Sequence, residues 1–301
     1  MISPIPKTGN EMKKLIFPVL VLLAVVTSCR QDDVFSLWRD SSNLVVEGDA
    51  TTFFTMMHYN IWGAHHANKF WNPKHFDEVA AVINGQKPDF VTLSEVDSVT
   101  SRNSKYFMAK ELATRTGMYY AYAPAIPMSP GSYGDAILSK YPIMEVRRFK
   151  LYPDPAQGSS QAEDRAMCAI RVEVEGTSLW IASVHLDHRE NEMSRIKQAG
   201  DLRSIVQQLE GSLIVGGDLN AKPNSETMKI IFEYMTPQYP SATEAYYTWP
   251  SKYDGAEKPT KLIDYILLKK DERKLECVSY RVVNEAASDH CAVVATFKVV
   301  D

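Results

Sequence analysis

The chain is poor in the residues that build thiol-based sites. Only four of its 301 residues are cysteine, and none stands in a CxxC or Cys–His spacing, which argues against structural zinc. Surplus positive charge is missing too. Lys and Arg number 33 against 37 Asp and Glu, a net charge of −4. Such a chain lacks the broad electrostatic footprint of a nonspecific nucleic-acid binder, which weighs against a nuclease without excluding one. The N-terminal apolar run, Leu15 to Val26, is too short to span a bilayer: twelve residues make roughly 18 Å of helix against the ~30 Å of hydrocarbon. From about residue 50 onward there is no low-complexity linker, repeat or charge block, so that part reads as one domain.

What is present begins with an export signal. Met12-Lys13-Lys14 precede the apolar run and Thr27-Ser28-Cys29 follow it. A basic head, a short apolar middle and small residues form a secretory signal over residues 1–28. The Cys directly after Val-Thr-Ser resembles a bacterial lipobox, in which cleavage exposes Cys29 for lipid attachment. A plain signal peptide cut nearby is the alternative. Residues 29–50 read as a tether, with Asp32-Asp33 either a sorting tag or solvated chain, and 51–301 as the catalytic domain. The expected location is the cell envelope, as a lipid-anchored outer-membrane, periplasmic or surface lipoprotein. Residues 1–28 carry Lys7, Lys13 and Lys14 against Glu11, so the remainder carries about −6. Of the other cysteines, Cys168, Cys277 and Cys291 read as buried free thiols, with a Cys277–Cys291 bridge as the alternative.

Composition, 45% hydrophobic and 23% charged, is that of an ordinary globular domain. Strand-like runs dominate: 51–61, 89–96, 119–125, 136–139, 146–152, 167–174, 179–186, 213–215, 262–269, 277–283 and 291–299. Helical spacing marks Phe76, Val79, Ala80 and Ile83 after Asn72-Pro73, then 106–116 before Gly117, then Met193 to Leu209, and 226–235. This is not the regular alternation of a doubly wound sheet. Two sheets packed face to face with helices outside fit better, and in such a sandwich the side chains at one end of the strands converge.

Polar residues gather at those ends. Asp218 and Asn220 follow Leu-Ile-Val-Gly-Gly and share a face if the strand continues; the glycines allow close backbone approach. His185 and Asp187 repeat the pattern in Val-His-Leu-Asp-His. Asp264, in Leu-Ile-Asp-Tyr-Ile-Leu, is a carboxylate in an apolar run and needs a partner. His290, in Ser-Asp-His, is the natural one, since an Asp fixes an imidazole's tautomer and steadies its charge. Asn60 and Glu95 close two early strands. Glu95 and Asp289 offer carboxylate oxygens and Asn60 a neutral one, a hard set that favours Mg²⁺ or Mn²⁺; Asp97 is easily mistaken for Glu95. Arg165 and Arg102 are candidates for substrate phosphate. Two aromatic clusters, Trp62 to His75 and Tyr246, Tyr247 and Trp249, fit either a substrate rim or loop packing.

Together these segments resemble the endonuclease/exonuclease/phosphatase superfamily, which includes pancreatic-type DNases, abasic-site endonucleases, bacterial sphingomyelinases and inositol polyphosphate 5-phosphatases. Tyr-Asn-Ile, Leu-Ser-Glu-Val-Asp, Gly-Asp-Ala-Ile-Leu-Ser-Lys-Tyr-Pro, Val-His-Leu-Asp-His, Gly-Gly-Asp-Leu-Asn, Ile-Asp-Tyr-Ile and Ser-Asp-His occur in family order between about residues 52 and 299. The resemblance implies an α/β fold: a four-layer α/β/β/α sandwich of two packed mixed sheets flanked by helices, DNase-like. It implies Glu95 as the principal Mg²⁺ (or Mn²⁺) ligand with Asn60 and Asp289 beside it. Asp218 would align or deprotonate the water and Asn220 hold a phosphoryl oxygen. His290, braced by Asp264, and His185 would bind the phosphoryl group and share acid–base work. Asp135 departs from relatives, which usually carry an uncharged residue such as Asn there. The expectation is a monomeric metal-dependent phosphodiesterase or phosphatase whose partners are a phosphoester substrate, a small molecule or lipid head group rather than nucleic acid, and a membrane reached through Cys29. An extracytoplasmic nuclease and a non-catalytic binding lipoprotein on the same scaffold are the alternatives.

Overall fold

The computed structural model describes residues 51–62, 72–157 and 163–300. The expected signal segment 1–28, Cys29 and the expected tether 29–50 lie outside the described residues, as does most of the first aromatic cluster. Twelve strands form two six-stranded sheets. The first sheet holds β1 (Phe53–Asn60), β2 (Phe90–Ser98), β3 (Tyr119–Met128), β4 (Gly131–Ser139), β11 (Leu275–Val283) and β12 (Ala292–Val299), in the order β11-β12-β1-β2-β4-β3. The second holds β5 (Glu145–Leu151), β6 (Arg165–Val174), β7 (Thr177–His185), β8 (Ser212–Asp218), β9 (Met235–Pro237) and β10 (Asp264–Lys269), in the order β5-β6-β7-β8-β10-β9.

Each sheet is antiparallel except for one central parallel pair, β1 with β2 and β7 with β8. A parallel pair needs a crossover. Helix α1 (Pro73–Gln86) supplies the first and α3 (Met193–Gln208) the second, while α2 (Met108–Thr116) and α4 (Glu226–Ile231) complete the outer layers. Asn72 starts α1 by accepting from the Lys74 N–H at 2.9 Å, an N-cap with Pro at the first helical position. Gly117, at φ 68°, ends α2.

Period-two alternation sorts the side chains into layers. Phe54 and Met56 on β1, with Phe90, Ile137 and Phe297 of the same sheet, face Cys168, Ile170, Ile181, Ile214 and Ile266 of the second. The intervening Met57 and Tyr59 face α1 and α2 with Phe76, Val79, Ile83 and Leu112. On the second sheet Ala182, Val184, Val215 and Leu267 face Leu202, Ile205 and Met228 of α3 and α4. Three apolar layers between four structural layers make the expected sandwich.

Two local expectations change. The helix expected over 226–235 stops at Ile231, because Met235–Pro237 pairs with β10 through Met235↔Lys269 and Leu267↔Pro237. The strand expected over 213–215 runs on to Asp218. Cys168, Cys277 and Cys291 are free thiols, and Cys277 is half-buried rather than buried.

Gly216 lies where the two sheets come closest to the site. A Cβ there would stand 2.2 Å from the Thr92 hydroxyl and 3.1 Å from the His58 Cβ. Gly216→Ala is therefore expected to lower unfolding stability by about 1–3 kcal/mol through overpacking, measured by urea denaturation with unchanged far-UV circular dichroism.

Candidate active site

The parallel pairs bring four strand ends to one rim. Asn60 ends β1, the Ser94–Glu95 segment lies late in β2, His185 ends β7 and Asp218 ends β8. β10 runs antiparallel to β8 and so begins there: Asp264 is the register partner of Asp218, as His185 is on the other side. The Asn60 amide nitrogen spans the sheets, 2.9 Å from Asp218 Oδ2 and 3.2 Å from Glu95 Oε1.

Glu95 points inward because β2 is irregular there. The β2–β4 register shifts between Leu93 and Val96, and Glu95 has φ 63°. A bulge of this kind re-aims a side chain, and a non-glycine residue in the left-handed region is strained backbone of the kind that clusters at functional sites. Asn220 has φ 48° just after β8, a conformation Asn tolerates. Its backbone N–H donates to Asp218 Oδ1 at 2.9 Å, and its side-chain nitrogen lies 3.0 Å from His185 Nε2. The chain turns after β8 instead of continuing as strand, yet both side chains stay at the site.

His290 is held by its own loop. Ser288 donates its hydroxyl to the Asn60 carbonyl at 2.7 Å and accepts the His290 backbone N–H at 3.2 Å. The ring then meets Asp264, Nδ1 to Oδ2, at 2.9 Å. Burial opposes a charged imidazole, but Asp264 and then Asp218 outweigh it and lift His290 to about 10. Asp264 moves the other way: despite burial, His290 and a hydrogen bond from His58 hold it well below the usual carboxylate range. Asp218 is raised by burial and by the charge of Asp264, against His290. His185 is pushed well below its ordinary value by burial and by the Arg165 guanidinium. The two histidines are thus unlike: His290 is cationic at neutral pH and His185 is neutral.

Glu95, Arg102, Tyr133, Glu163, Arg165, His185, His188, Asp218, Asn220 and His290 line one cavity of about 260 Å³, with Ile126 and Met128 as its apolar wall. Asp289 is not among its lining residues. It is half-buried, its Oδ1 lies 3.4 Å from the Ser288 hydroxyl, and its carbonyl accepts from Ser251 at 2.7 Å. Arg165 is buried, with Nη1 3.4 Å from His185 Nδ1, Nη2 3.1 Å from His188 Nδ1, and Glu163 at 3.2 Å. Arg102 reaches the same cavity, but two of its nitrogens already donate to Asp97 at 2.6 Å. That fully buried Asp97 is a clamp for Arg102 and Thr100.

Asp187 does not share the face of His185. β7 ends at His185, and Asp187 instead accepts from Arg189 at 2.9 Å. Three residues that the sequence reading left without a role sit at the site: Tyr133, whose hydroxyl is 3.4 Å from His185 Nδ1, His188, and the fully buried His58. For His58 the signal was alternation, since it shares the inner face of β1 with Asn60. The second aromatic cluster packs elsewhere: Tyr246 on Tyr280 at 5.7 Å, and Trp249 under Lys261 at 4.3 Å. Trp62 meets Tyr253 edge-on at 5.9 Å.

The donor set fits a hard cation. Glu95 is raised by burial, and only His290 and the Asn60 hydrogen bond lead the opposing effects, so its carboxylate needs positive charge. Counting Glu95, Asp218 and Asp264 against His290, with Arg165 matched by Glu163, leaves the site negative; a phosphoester would be repelled without a cation. The Asn60 oxygen, however, accepts from the Trp62 N–H at 2.9 Å, so its nitrogen and not its oxygen faces the carboxylates. Among the described residues, Asp218, Asp264 and His290 are the group whose ligating atoms all lie within 4.8 Å of one another.

The profile of the Endonuclease/Exonuclease/phosphatase family, typically divalent-metal dependent, matches residues 57–290. An endonuclease/exonuclease/phosphatase family protein from Bacteroides thetaiotaomicron is 14% identical, with TM-score 0.66 over 83% of this chain and 99% of that one. A mannosyl-6-phosphatase from the same species is 14% identical, with TM-score 0.64 over 81% and 99%. The human Nocturnin catalytic domain with bound sulfate is 21% identical, with TM-score 0.60 over 84% and 98%. At these identities the likeness is one of fold. None of the curated proteins compared with the chain matches it.

Asp135 is buried beside this cavity, and burial, opposed by Arg165, raises its carboxyl to about 8. The folded state therefore holds this proton more tightly than the unfolded chain. The stability linked to it is full below about pH 4 and is lost as pH rises through the folded value. Asp135→Asn, which copies the protonated form, is expected to unfold at higher urea than the parent at pH 8.5 and at a similar concentration at pH 4.5.

Proposed function

The chain belongs to the Endonuclease/Exonuclease/phosphatase family, and from that premise we propose that it is a Mg²⁺- or Mn²⁺-dependent phosphoester hydrolase acting outside the cytoplasm on a small or lipid-linked phosphate ester. The observation that carries this reading is the meeting of Glu95, Asp218, Asn220, His185, His290 and Arg165 around one cavity of about 260 Å³. Secretion by residues 1–28 and lipid attachment at Cys29 belong to the same proposal and rest on the sequence of that segment.

Glu95 is the residue that would hold the cation, with Asn60 and Asp289 as proposed companions; Asn60 joins through its oxygen only with its amide turned over. A bound Mg²⁺ neutralises charge developing on the phosphoryl oxygens. The protein's own groups do the rest. Asp218, fixed by the Asn220 N–H at 2.9 Å, orients a water and takes its proton. His290, cationic through Asp264, donates to a phosphoryl oxygen and steadies the transition-state charge. Neutral His185 and the Leu186 carbonyl hold the two N–H groups of the Asn220 amide, at 3.0 and 3.1 Å, so Asn220 would meet a phosphoryl oxygen by giving up one of these bonds. Arg165 and, with its remaining nitrogen, Arg102 present positive charge to the substrate from the far wall.

Substrate size follows from the surroundings. Beyond Asn220 lies a cleft of about 720 Å³ carrying Arg189, Arg195, Lys222 and Lys261 with Glu190 and Glu192. Arg189 is paired with Asp187 at 2.9 Å, and Arg195 donates to the carbonyls of Asp187, Arg189 and Glu190. Lys222 is left to meet an anion, beside Lys261, whose ammonium already sits 4.3 Å over the Trp249 ring, fewer cations than a groove tracking a nucleic-acid backbone employs. A compact phosphoester fits better than duplex DNA.

Purified residues 51–301 should release phosphate or cleave diesters on a phosphoester panel with Mg²⁺ or Mn²⁺. Glu95→Ala and His290→Ala should each reduce kcat about 10²–10⁴-fold with the fold intact; unchanged turnover in both refutes the assignment, and preference for duplex DNA over small esters would favour the nuclease. A non-catalytic scaffold predicts no Mg²⁺ or Mn²⁺ binding by calorimetry.

The activity should also follow the two opposed shifts. Asp218 must be ionised to accept a proton, so kcat/KM rises with pH up to about 6. His290 must be charged to donate, so kcat/KM falls above about 10. A pH–rate profile measured from 4.5 to 10.5 checks both limbs.

A further inference from the structure

We infer that His58 is a positioning residue, which fixes the Asp264 carboxylate from the opposite sheet so that Asp264 can set the orientation of His290; this rests on the reading of His290 as a group that acts on the substrate.

His58 has no exposed surface. It occupies the inner face of β1, two residues beyond Met56, where an apolar side chain would pack at lower desolvation cost. Its ring is held at both ends. Nδ1 lies 3.1 Å from the Thr92 hydroxyl, and Nε2 lies 3.3 Å from Asp264 Oδ1. The second contact is longer and less well aligned than a strong hydrogen bond. Yet among the described residues neither His58 Nε2 nor Asp264 Oδ1 has another hydrogen-bonding partner. Two buried, otherwise orphaned atoms face one another, and burial of that kind is costly unless they pair.

The proton positions follow from the surroundings. The Thr92 hydroxyl has one hydrogen and two acceptors in range, His58 Nδ1 at 3.1 Å and the Met57 carbonyl at 3.3 Å. If it donates to the carbonyl, Nδ1 must carry the ring's proton, and a neutral ring then turns a lone pair onto the Asp264 carboxylate. If it donates to Nδ1, the proton sits on Nε2 and points at Oδ1. Only the second arrangement satisfies every atom with a neutral imidazole. Asp264 then accepts one imidazole N–H on each oxygen, His58 on Oδ1 and His290 at 2.9 Å on Oδ2. Its backbone N–H is separately tied to Thr248 Oγ1 at 3.2 Å. A carboxylate gripped on both oxygens cannot rotate, and the His290 ring inherits that fixed direction. Gly216 completes the arrangement: a Cβ there would stand 2.2 Å from the Thr92 hydroxyl, with Met56 Cε at 3.0 Å and His58 Cβ at 3.1 Å.

The test compares His58→Leu, which fills the volume and removes both nitrogens, with His58→Gln, which keeps an N–H at the reach of Nε2. His58→Leu should lower kcat about tenfold or more, as misplacement of a reacting group does, with KM changed less than about twofold. His58→Gln should recover most of that loss. In metal-free protein, the downfield proton resonance of His290 Nδ1–H should shift or broaden in His58→Leu and return in His58→Gln. If His58→Leu does not fold, Thr92→Val, nearly isosteric, should move kcat and the resonance in the same direction. An unchanged resonance with kcat within twofold of the parent, in His58→Leu or in Thr92→Val, overturns the inference, as does equal impairment of His58→Leu and His58→Gln. Turnover by His290→Ala tests the underlying reading separately, and the resonance decides the role of His58 whatever that result.

Discussion

The contact between Asp264 and His290 governs the site. A carboxylate with no exposed surface is tolerable in a protein interior only when a cation or several donors answer it. Here the answering group is an imidazole 2.9 Å away that becomes charged because the carboxylate is there. Each member keeps the other ionised: Asp264 is driven down and His290 up. The consequence spreads outward. Burial, and after it the negative charge of Asp264, raises Asp218, so a carboxylate that would otherwise be a spectator anion becomes a group able to take a proton near neutrality. The separation of roles between the two histidines has the same origin. Both rings lie near Asp218, at 3.5 Å for His185 and 3.7 Å for His290, but His290 alone has Asp264 at 2.9 Å to outweigh its burial, whereas burial and then the Arg165 guanidinium hold His185 down.

The fold exists at this point to bring together charges that no single segment carries. Asp264 comes from one sheet, His58, Asn60 and Glu95 come from the other, and His290 comes from the loop that leads into β12. Two parallel pairs, each closed by one crossover helix, deliver strand ends to a common rim. Along β1 the inner face passes from Phe54 and Met56 to His58 and Asn60, so the apolar layer between the sheets grades into the polar site without a boundary. The dry layer below is what makes the charges interact strongly, since they cannot be screened from beneath.

Much of this was legible in the sequence, and the reason is physical. Asn60, Asp218 and His290 are polar residues at the limits of apolar runs, where packing gives them no purpose. Asp264 was conspicuous as a carboxylate inside such a run. Their order along the chain, taken with the family resemblance, gave the sandwich. What stayed hidden depends on partners distant in sequence. The bulge that turns Glu95 inward shows only in the β2–β4 register. Arg102 looks available until Asp97 is seen to hold two of its nitrogens. Asp187 was expected beside His185, but period-two reasoning fails once the strand ends, and it ends at His185 itself. The helix expected through Met235 was overridden by pairing with β10, a contact of long range that outweighs local propensity.

The site gathers more acid than base, and Glu95, which lines the cavity, is raised by burial against the opposing effects of His290 and the Asn60 hydrogen bond. Asp135, one strand away, escapes the problem by keeping its proton. Glu95 cannot escape in the same manner and still serve, because a protonated carboxyl there would leave nothing to draw a cation. Retaining an acid where an amide would be more stable makes sense if a divalent ion, and through it an anionic substrate, completes the balance. The strained backbone at Glu95, φ 63° in the midst of a strand, supports that view. Such strain persists only where the surrounding structure over-determines it, and here the β2–β4 bulge and the Asn60 amide hold one carboxylate facing the cavity.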